Sequence, residues 1–474
     1  MDYIPRRILD RALSRLDRRA LRGRLHAVRA LAQVRGVQYL DDAGRPRTID
    51  IALKPWILTN EQIFTFHHAM QLLADALLQL PRLHAARPEL RDIIHFEPTR
   101  AAWLRLATHP RSRPLAVLGR LDSTATYDHA GWRQDFRMLE PNTVGVGGVH
   151  YAPTACSIIT DVLGDVLTEA LPGRVVTATP DPRQLLIEEL YAVAKRRHRP
   201  LRGVALIENT DFTTGTDEFA AVARDLTSRG LRAVVADPRD LRLTRRGLAA
   251  RGVLVDFLYR DSELEEFVDM EAKGHRLTAL RHAVREGRLI SGLTWEFDQK
   301  SAWEIFTDAR YARYFTEAQR RLFRMHLLWT RLVRHATVTD PSGQSVDLPA
   351  FIQRNRQRLV LKPNALFGGE GVVIGPTVSQ RVWDATLHRA LRACLSPSGD
   401  GRQGRTRYVV QHLARIPTET FPMLSDRGVR QVARRVVSGF FFNSSTIGLI
   451  GRFSGQPVVN VSRGGGLVPA LWVH

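Results

Sequence analysis

Two polar segments near residue 130 carry side chains that could hold a divalent cation. The segment GRLD contributes Arg120 and Asp122, and the segment MLEPN contributes Glu140 and Asn142. Residues two apart on a β-strand point to the same face, so each segment would present its two polar side chains together. Two carboxylates and an amide oxygen suit Mg²⁺ held between protein and phosphates. Arg120 could stabilise a transferring phosphoryl group, although polar residues on an exposed sheet give the same pattern.

A glycine-rich segment, LVLKPNALFGGEGVVIG (359–375), has the residue types of a phosphate-binding flap. Its first half predicts a strand that carries Lys362, and its second half predicts another apolar strand. The loop between them contains Gly368, Gly369 and Gly371, whose backbone N–H groups could bind phosphate oxygens. The Walker A pattern GxxxxGK[ST] is absent, so this would be a different nucleotide site. A β-hairpin with a glycine turn is the alternative interpretation.

Two further segments fit a nucleotide site. In FDQKSAWEIFTD, Lys300 stands at a predicted helix start, from which it could reach an α-phosphate. The strand RYVVQHL (407–413) places Gln411 where an amide side chain could meet the edge of an adenine base. Several such segments together are more specific than any one of them.

The basic composition bears on both the partners and the site. The 474-residue chain has a formal net charge of +21, which raises a nucleic-acid or anionic-substrate role. Nearly all of its 69 basic residues are arginines, a bias typical of a GC-rich genome, so we expect nucleic acid not to be a partner. Lysine is a compact charge that fits among phosphates, whereas guanidinium is a wide fork. The lysines are Lys54, Lys195, Lys273, Lys300 and Lys362.

The rest of the composition is that of a cytoplasmic globular protein. The two cysteines, Cys156 and Cys394, can form neither a disulfide framework nor a zinc site. No apolar run reaches the roughly 18 residues that span a membrane. The N-terminal residues lack the apolar core of a signal peptide. We therefore expect a cytoplasmic protein without a membrane span.

Helices and a hairpin are predicted in the first third of the chain. Apolar residues recur at helical spacing over 5–36, which predicts an amphipathic helix that packs on the body or lies on a membrane or nucleic acid. Residues 61–95 also have a helical pattern. Segments 115–127 and 133–142 alternate around a turn-like YDHAG and predict a β-hairpin. If that hairpin turns near residue 130, Asp122 lies opposite Glu140. A helix is predicted over about 155–171.

Short apolar strands alternate with helices from about 174 to 290, which predicts an open α/β unit. Its predicted elements are the strand RGVALIEN, a helix from Asp217 to Arg229, and the strands LRAVVADP and GVLVDFLYR. Beyond it we predict helix over 298–335, a small hairpin at 340–344, and C-terminal strands in GFFFN, IGLIGRFSG and PVVNVSRGGG. The fold class is accordingly α/β (α+β).

Together these motifs resemble the circularly permuted ATP-grasp family, which includes glutathionylspermidine synthetase-like carboxylate–amine ligases. The resemblance covers roughly 100–474 and rests on the order of GRLD, MLEPN, DQKSAWEIFTD, LVLKPNALFGGEGVVIG, VVQHLARIP and GRFSGQPVVNVSRGGG. Two features depart from the family: the Glu-Pro-Asn metal motif stands where relatives usually have an Asn-Ala/Ser-Asp stretch, and His412 stands where relatives often place Glu. The resemblance implies an ATP-grasp fold, circularly permuted, with an N-terminal helical extension.

The resemblance also implies roles for individual residues. ATP and two Mg²⁺ ions would be bound, with Asp122, Glu140 and Asn142 as the metal ligands. The ATP-binding residues would be Lys300, Lys362, Gly368, Gly369, Gly371 and Gln411. Arg120 and Arg452 would face the phosphates as catalytic residues.

Five parts of the chain follow from this assignment. They are an N-terminal helical region (1–105), the metal-binding part of the ATP-grasp core (106–172), an open α/β substrate domain (173–295), an ATP-binding lid (296–420) and C-terminal strands that complete the core (421–474).

The expected activity is ATP-dependent amide-bond formation through an acyl phosphate, with small-molecule carboxylate and amine substrates of the amino acid, peptide or polyamine class. The segment around Asn209, Thr210 and Thr213 could bind a substrate, although a helix N-cap by Thr216 or Asp217 explains part of its composition. Two alternatives stay open: an ATP-grasp phosphotransferase that needs no amine, and a non-catalytic basic binding protein. A homodimer is also compatible with the sequence.

Overall fold

The computed structural model describes residues 2–41, 45–107, 119–124, 127–211, 218–366, 368–395, 407–426, 428–461 and 464–474. Helices and several β-sheets make up these residues, so the predicted mixed α/β class is confirmed. No helix among them is both long and apolar enough to cross a membrane.

The predicted N-terminal helix over 5–36 is two helices. The Asp17 carboxylate accepts a hydrogen bond from Ala20 N, which caps a new helix and separates it from the first. Leu9 and Leu13 are buried in the core, so the interpretation that the leucine stripe packs on the body is confirmed. The elements of this region are α1 (Arg7–Ser14), α2 (Arg18–Val34), β1 (Gln38–Leu40), β2 (Pro46–Thr48), β3 (Trp56–Thr59), α3 (Asn60–Ala86), α4 (Pro88–Arg91) and α5 (Pro98–Ala107).

The predicted hairpin is present as two antiparallel strands with a short helix between them. Asp122 pairs with Glu140 and Arg120 pairs with Asn142, as the turn position predicted. The parts of the prediction that cover 115–118 and 125–126 lie outside the described residues, and the predicted strand 133–142 is wrong at 133–135, which are helical. The elements here are β4 (Gly119–Thr124), α6 (Trp132–Asp135), β5 (Met138–Asn142), α7 (Tyr151–Ala170), β6 (Val176–Ala178) and α8 (Pro182–Arg196).

The open α/β unit has a parallel sheet of three strands in the order β12-β7-β8. The stretch GVLVDFLYR is divided between two sheets, because β11 belongs to a small antiparallel meander that the sequence did not predict. The elements are β7 (Gly203–Ile207), α9 (Glu218–Ser228), β8 (Arg232–Ala236), β9 (Leu241–Thr244), β10 (Gly247–Ala250), β11 (Val253–Leu254), β12 (Phe257–Arg260), α10 (Leu264–Ala272) and α11 (Thr278–Arg285).

A second sheet, in the order β13-β18-β16-β17, carries the glycine-rich segment. The prediction of helix over 298–335 is wrong at its end, because Thr330–Leu332 forms a strand that pairs with β18. The predicted hairpin at 340–344 is confirmed. The elements are α12 (Ala302–Thr307), α13 (Glu317–His326), β13 (Thr330–Leu332), β14 (Thr337–Thr339), β15 (Ser345–Asp347), α14 (Leu348–Arg354), β16 (Leu359–Pro363), β17 (Val373–Ile374), α15 (Gln380–Leu395) and β18 (Tyr408–His412).

The C-terminal strands join β4 and β5 in a central sheet of order β22-β21-β20-β4-β5, in which β19 also pairs with β20. The strand β19 was not predicted, and in the described part of PVVNVSRGGG only Gly466 is in a strand, as the first residue of β22. The elements are β19 (Thr418–Ser425), β20 (Gly428–Phe442), β21 (Ile447–Ser454), β22 (Gly466–Val468) and β23 (Ala470–Val473), which pairs with β3 and β6.

The two faces of the central sheet differ in chemistry. On one face Phe66, Phe136 and Phe440 pack as an aromatic core, where Tyr127 donates a hydrogen bond to Ser438. The alternate residues of β4, β5 and β21 point to the opposite face and carry the predicted site. The core therefore fixes the strands whose other side forms the site.

Candidate functional site

The predicted site residues line one cavity of about 650 Å³. The central sheet, the β13-β18-β16-β17 sheet and the parallel α/β unit all contribute to its wall. Most of the predicted residues lie on it: Arg120, Asp122, Glu140, Asn142, Lys300, Lys362, Gly368, Gly369, Gln411 and Arg452. Gly371 is not among the lining residues. Strands of two sheets and the segment before α12, which are far apart in the sequence, thus meet at one place.

Asp122 lies between two arginines of the central sheet. Arg120 Nε donates to its Oδ1 at 3.0 Å, and Arg452 Nη2 lies 2.7 Å from the same oxygen. Gly439 stands across from Asp122, and a Cβ there would approach Arg120 Cδ to 2.9 Å, so glycine leaves room for the arginine. Burial opposes ionisation of Asp122, but the two guanidinium groups outweigh it and hold its pKa below the usual value.

Glu140 lies between two lysines. Its Oε2 is 3.6 Å from Lys300 Nζ and 3.9 Å from Lys362 Nζ. Burial again opposes ionisation, and the lysine charges overcome it, so the pKa of Glu140 is lowered. Burial also lowers the pKa of Lys362, and the neighbouring Lys300 adds to this effect. The site therefore brings four basic side chains together with two carboxylates whose pKa values are both lowered.

Asn364 connects the two segments that carry Lys300 and Lys362, a role that was not predicted from the sequence. Its Oδ1 accepts from Ser301 N at 2.8 Å, and its Nδ2 donates to Gln299 Oε1 at 2.9 Å. The segment around Lys300 is thereby bound to the end of β16, which carries Lys362. Lys300 Nζ also donates to Leu366 O at 2.7 Å, so the lysine contacts the start of the glycine loop.

The predicted metal ligands have suitable chemistry for magnesium. Asp122 and Glu140 are paired across neighbouring strands, and Asn142 lies on the same face. The buried Nδ2 of Asn142 has no hydrogen-bond partner among the described residues. The carboxamide group is therefore not held through that atom, and its oxygen can turn toward a cation. No group of three or more His, Cys, Asp or Glu that could hold a metal occurs in the described parts of the chain. Phosphate and water oxygens would have to complete the coordination.

The glycine loop rests on a segment that follows β21. Asn460 Nδ2 donates to Gly368 O at 2.8 Å. Gly369 has φ +73°, and a Cβ there would lie 2.5 Å from Val458 Cγ1. Gly368 and Gly369 thus line the cavity in contact with the segment after β21, and the close approach at Gly369 requires glycine.

Gln411 is almost fully buried beside the cavity. Its Nε2 donates to Thr330 Oγ1 at 2.9 Å and approaches Leu139 O at 3.4 Å. These bonds occupy the amide nitrogen and fix the side chain. Contact with an adenine base stays a prediction, one that would depend on the amide oxygen or the backbone of β18.

The opposite end of the cavity is acidic, and this the sequence did not predict. Asn209 lines it, while Thr210 donates from both N and Oγ1 to Asp237 and is thus engaged elsewhere. Thr213, Thr216 and Asp217 lie outside the described residues. We call the carboxylates of this end the acidic wall: Glu208, Glu218, Asp261, Glu263, Glu266, Glu296 and Asp298.

The acidic wall has a topological origin. Glu208 follows the end of β7 and Asp261 follows the end of β12, so both stand at the carboxyl edge of the parallel sheet. Ligands of open α/β sheets bind at that edge. The acidic residues after the two predicted strands could therefore have indicated a binding site. The acids of the wall span about ninety positions of the chain, however, so no short motif contains them.

Comparison with known proteins shows a likeness of fold. No protein-family model matches the sequence, and no curated protein is similar to it. Among solved structures, a glutathione synthetase-like effector from Globodera pallida in its apo form superposes with a TM-score of 0.60 at 10% identity, over 96% of this chain and 97% of the other. At this identity the likeness concerns the fold alone, and it fits the predicted ATP-grasp-like architecture without showing a circular permutation.

Proposed function

We propose that this protein is a circularly permuted ATP-grasp ligase that joins a small-molecule carboxylate to an amine. One observation carries the proposal: Glu140 lies between Lys300 and Lys362 while, on the adjacent strand, Asp122 lies between Arg120 and Arg452. Side chains from two separate sheets and the segment before α12 form this arrangement beneath a glycine loop.

The charge arrangement supports magnesium-dependent nucleotide binding. The four cations are paired with carboxylates, so phosphate groups would have to compete with Asp122 and Glu140 for them. If Asp122, Glu140 and Asn142 hold magnesium instead, the lysines and arginines are free to turn to phosphate oxygens. Bound magnesium would neutralise phosphate charge during transfer.

The proposed reaction has two steps. An oxygen of the substrate carboxylate attacks the γ-phosphorus, an O–P bond forms, and ADP leaves. Arg120 and Arg452 stabilise the charge on the transferring group. The amine nitrogen then attacks the acyl carbon, a C–N bond forms, and the C–O bond to phosphate breaks. The glycine loop above the site excludes water from the acyl phosphate.

The experiment that tests the proposal is product analysis. Purified protein is incubated with Mg·ATP and a pool of amino acids and polyamines, ADP is measured, and products are identified by mass spectrometry. We expect ADP formation that needs an amine, with a product equal to the two substrates minus water. Lys362→Met should abolish it, whereas Lys195→Met, at an exposed position on α8, should not.

Other outcomes separate the two alternative functions. A phosphorylated product formed without amine would replace the ligase by a phosphotransferase. Binding of nucleic acid that falls steeply with salt and is unchanged in Lys362→Met, without any ADP formation, would replace it by a basic binding protein.

A further inference from the structure

The acidic wall contains a carboxylate, that of Asp261, that its surroundings do not use. Glu218 accepts hydrogen bonds from Gly148 N and His150 N, Asp298 accepts from Thr143, and Glu296 is paired with Arg260. Glu266 accepts from Glu263 N at 3.3 Å. The carboxylate of Asp261, by contrast, forms no ion pair and accepts no hydrogen bond within the described residues. It faces the cavity from the carboxyl end of β12.

A second, independent feature indicates a ligand at this place. Ser262 lines the cavity next to Asp261 and is only 2% exposed. Its Oγ is buried and has no hydrogen-bond partner in the described chain. A buried hydroxyl without a partner is costly, and a bound polar group would relieve that cost. A donor such as an ammonium group would satisfy both the hydroxyl oxygen and the carboxylate.

A different loop, residues 144–148, connects Asp261 to the proposed phosphoryl-transfer site. Arg120 Nη1 donates to Gly147 O at 2.7 Å, which joins the loop to the metal-binding strand. Gly145 has φ +61°, and a Cβ there would lie 3.5 Å from Asp261 Oδ1 and 3.2 Å from its carbonyl oxygen. Gly148 N donates to Glu218 at 3.0 Å. The loop 144–148 thus contacts Arg120 of the metal-binding strand through Gly147 and lies against Asp261 at Gly145.

We infer that Asp261 binds the ammonium form of the amine substrate and removes its proton. This inference rests on the proposed ligase function. The Asp261 carboxylate accepts a proton from the ammonium group and becomes a neutral carboxyl group. The freed nitrogen lone pair forms the C–N bond, the C–O bond to phosphate breaks, and the second proton of the nitrogen leaves with the phosphate.

The electrostatics around Asp261 suit a base at neutral pH. Burial, followed by the charges of Glu208, Glu218 and Glu266, raises the pKa of Asp261 to about 7, and the charge of Arg260 acts against them. These groups face it from the end of β7, from α9, from α10 and from β12. A base is most effective when its pKa lies near the working pH.

The test separates proton removal from the earlier step. Hydroxylamine is a neutral nucleophile near pH 7, so it captures an acyl phosphate without needing a base. Wild type, Asp261→Asn and the control Asp269→Asn, on α10 outside the cavity, are given Mg·ATP and the amino acid pool. Hydroxamate is measured with hydroxylamine, and amide is measured with the amine that the wild type uses, from pH 6 to 10.

We expect Asp261→Asn to form hydroxamate within twofold of wild type and amide about 100-fold more slowly at pH 7. Its amide formation should recover as the pH approaches the pKa of the free amine, and Asp269→Asn should match wild type throughout. Equal loss of both products, or unchanged amide formation at pH 7, would overturn the inference. Absence of hydroxamate from wild type would instead contradict the ligase function itself.

Discussion

Replacement of Glu140 by glutamine removes the charge between the two lysines without changing the shape of the side chain. In the wild type this carboxylate holds Lys300 and Lys362 at 3.6 and 3.9 Å and would repel phosphates that approach them. Glu140→Gln is therefore expected to bind ATP more tightly than wild type when magnesium is absent. It should also gain less from added magnesium, because a proposed ligand is lost.

The size of the effect follows from the geometry. A phosphate oxygen in contact with Lys362 on its far side would lie roughly 7 Å from the Glu140 carboxylate, since about 3 Å of hydrogen bond adds to the 3.9 Å separation. At an effective dielectric constant of about 20, repulsion between unit charges at that distance is about 2 kcal/mol, or about 30-fold in affinity. The substitution also releases the two lysines from their ion pairs, which should further increase the affinity for metal-free ATP.

The assay is calorimetric titration of ATP in the presence of a chelator and again with excess magnesium. Glu169→Gln, an exposed residue on α7 that pairs with Arg15, is the matched control and should titrate as wild type does. If Glu140→Gln bound metal-free ATP no better than wild type, or kept the full wild-type gain from magnesium, our interpretation of the central charges would be refuted.

Three further predictions follow from the same structure. Lys362→Met should weaken Mg·ATP binding by about 1.5–3 kcal/mol, the usual loss of a hydrogen bond to a charged group, as measured by the same titration. Gly148→Ala should lower the free energy of unfolding by about 1–3 kcal/mol, because φ is +97° and a Cβ would lie 2.6 Å from a side-chain carbon of β21. Gly164→Ala, in the open middle of α7, should instead raise it by up to about 1 kcal/mol, and urea unfolding distinguishes the two. Because the pKa of Asp261 is raised to about 7, the folded state holds a proton that the unfolded state loses above the usual aspartate pKa of 3.8. The free energy of unfolding of Asp261→Asn, relative to that of wild type, should therefore increase by about 1.4 kcal/mol per pH unit up to about pH 7 and then stay level. A difference that does not change with pH would contradict the raised pKa.

The local geometry of the site was predictable because it depends on short-range rules. Strand periodicity placed Arg120 with Asp122 and Glu140 with Asn142, and the turn position gave the Asp122–Glu140 register that the structure confirms. The loop after β16 was also expected, since strand, glycine cluster and strand follow in sequence. The roles of these residues in binding ATP and magnesium stay predictions.

Features that depend on distant contacts could not be predicted. Asn364 reads as an ordinary loop residue, and only the folded chain shows that it binds the segment of Lys300 to β16. The strand β13 is three residues long and follows a helix with a strong helical pattern, so local periodicity favours helix there. The acidic wall is assembled from several elements of the α/β unit and the segment before α12, and no spacing within the sequence marks it.

The central claim is that a substrate carboxylate is activated as an acyl phosphate, and isotope transfer tests it most directly. A carboxylate substrate labelled with ¹⁸O on both oxygens is turned over with Mg·ATP and amine, and the released phosphate is analysed by mass spectrometry. Our account predicts that each phosphate carries one heavy oxygen from the carboxylate. Phosphate without label, released together with ADP, would show that water or another group accepts the phosphoryl group, and would contradict the ligase mechanism.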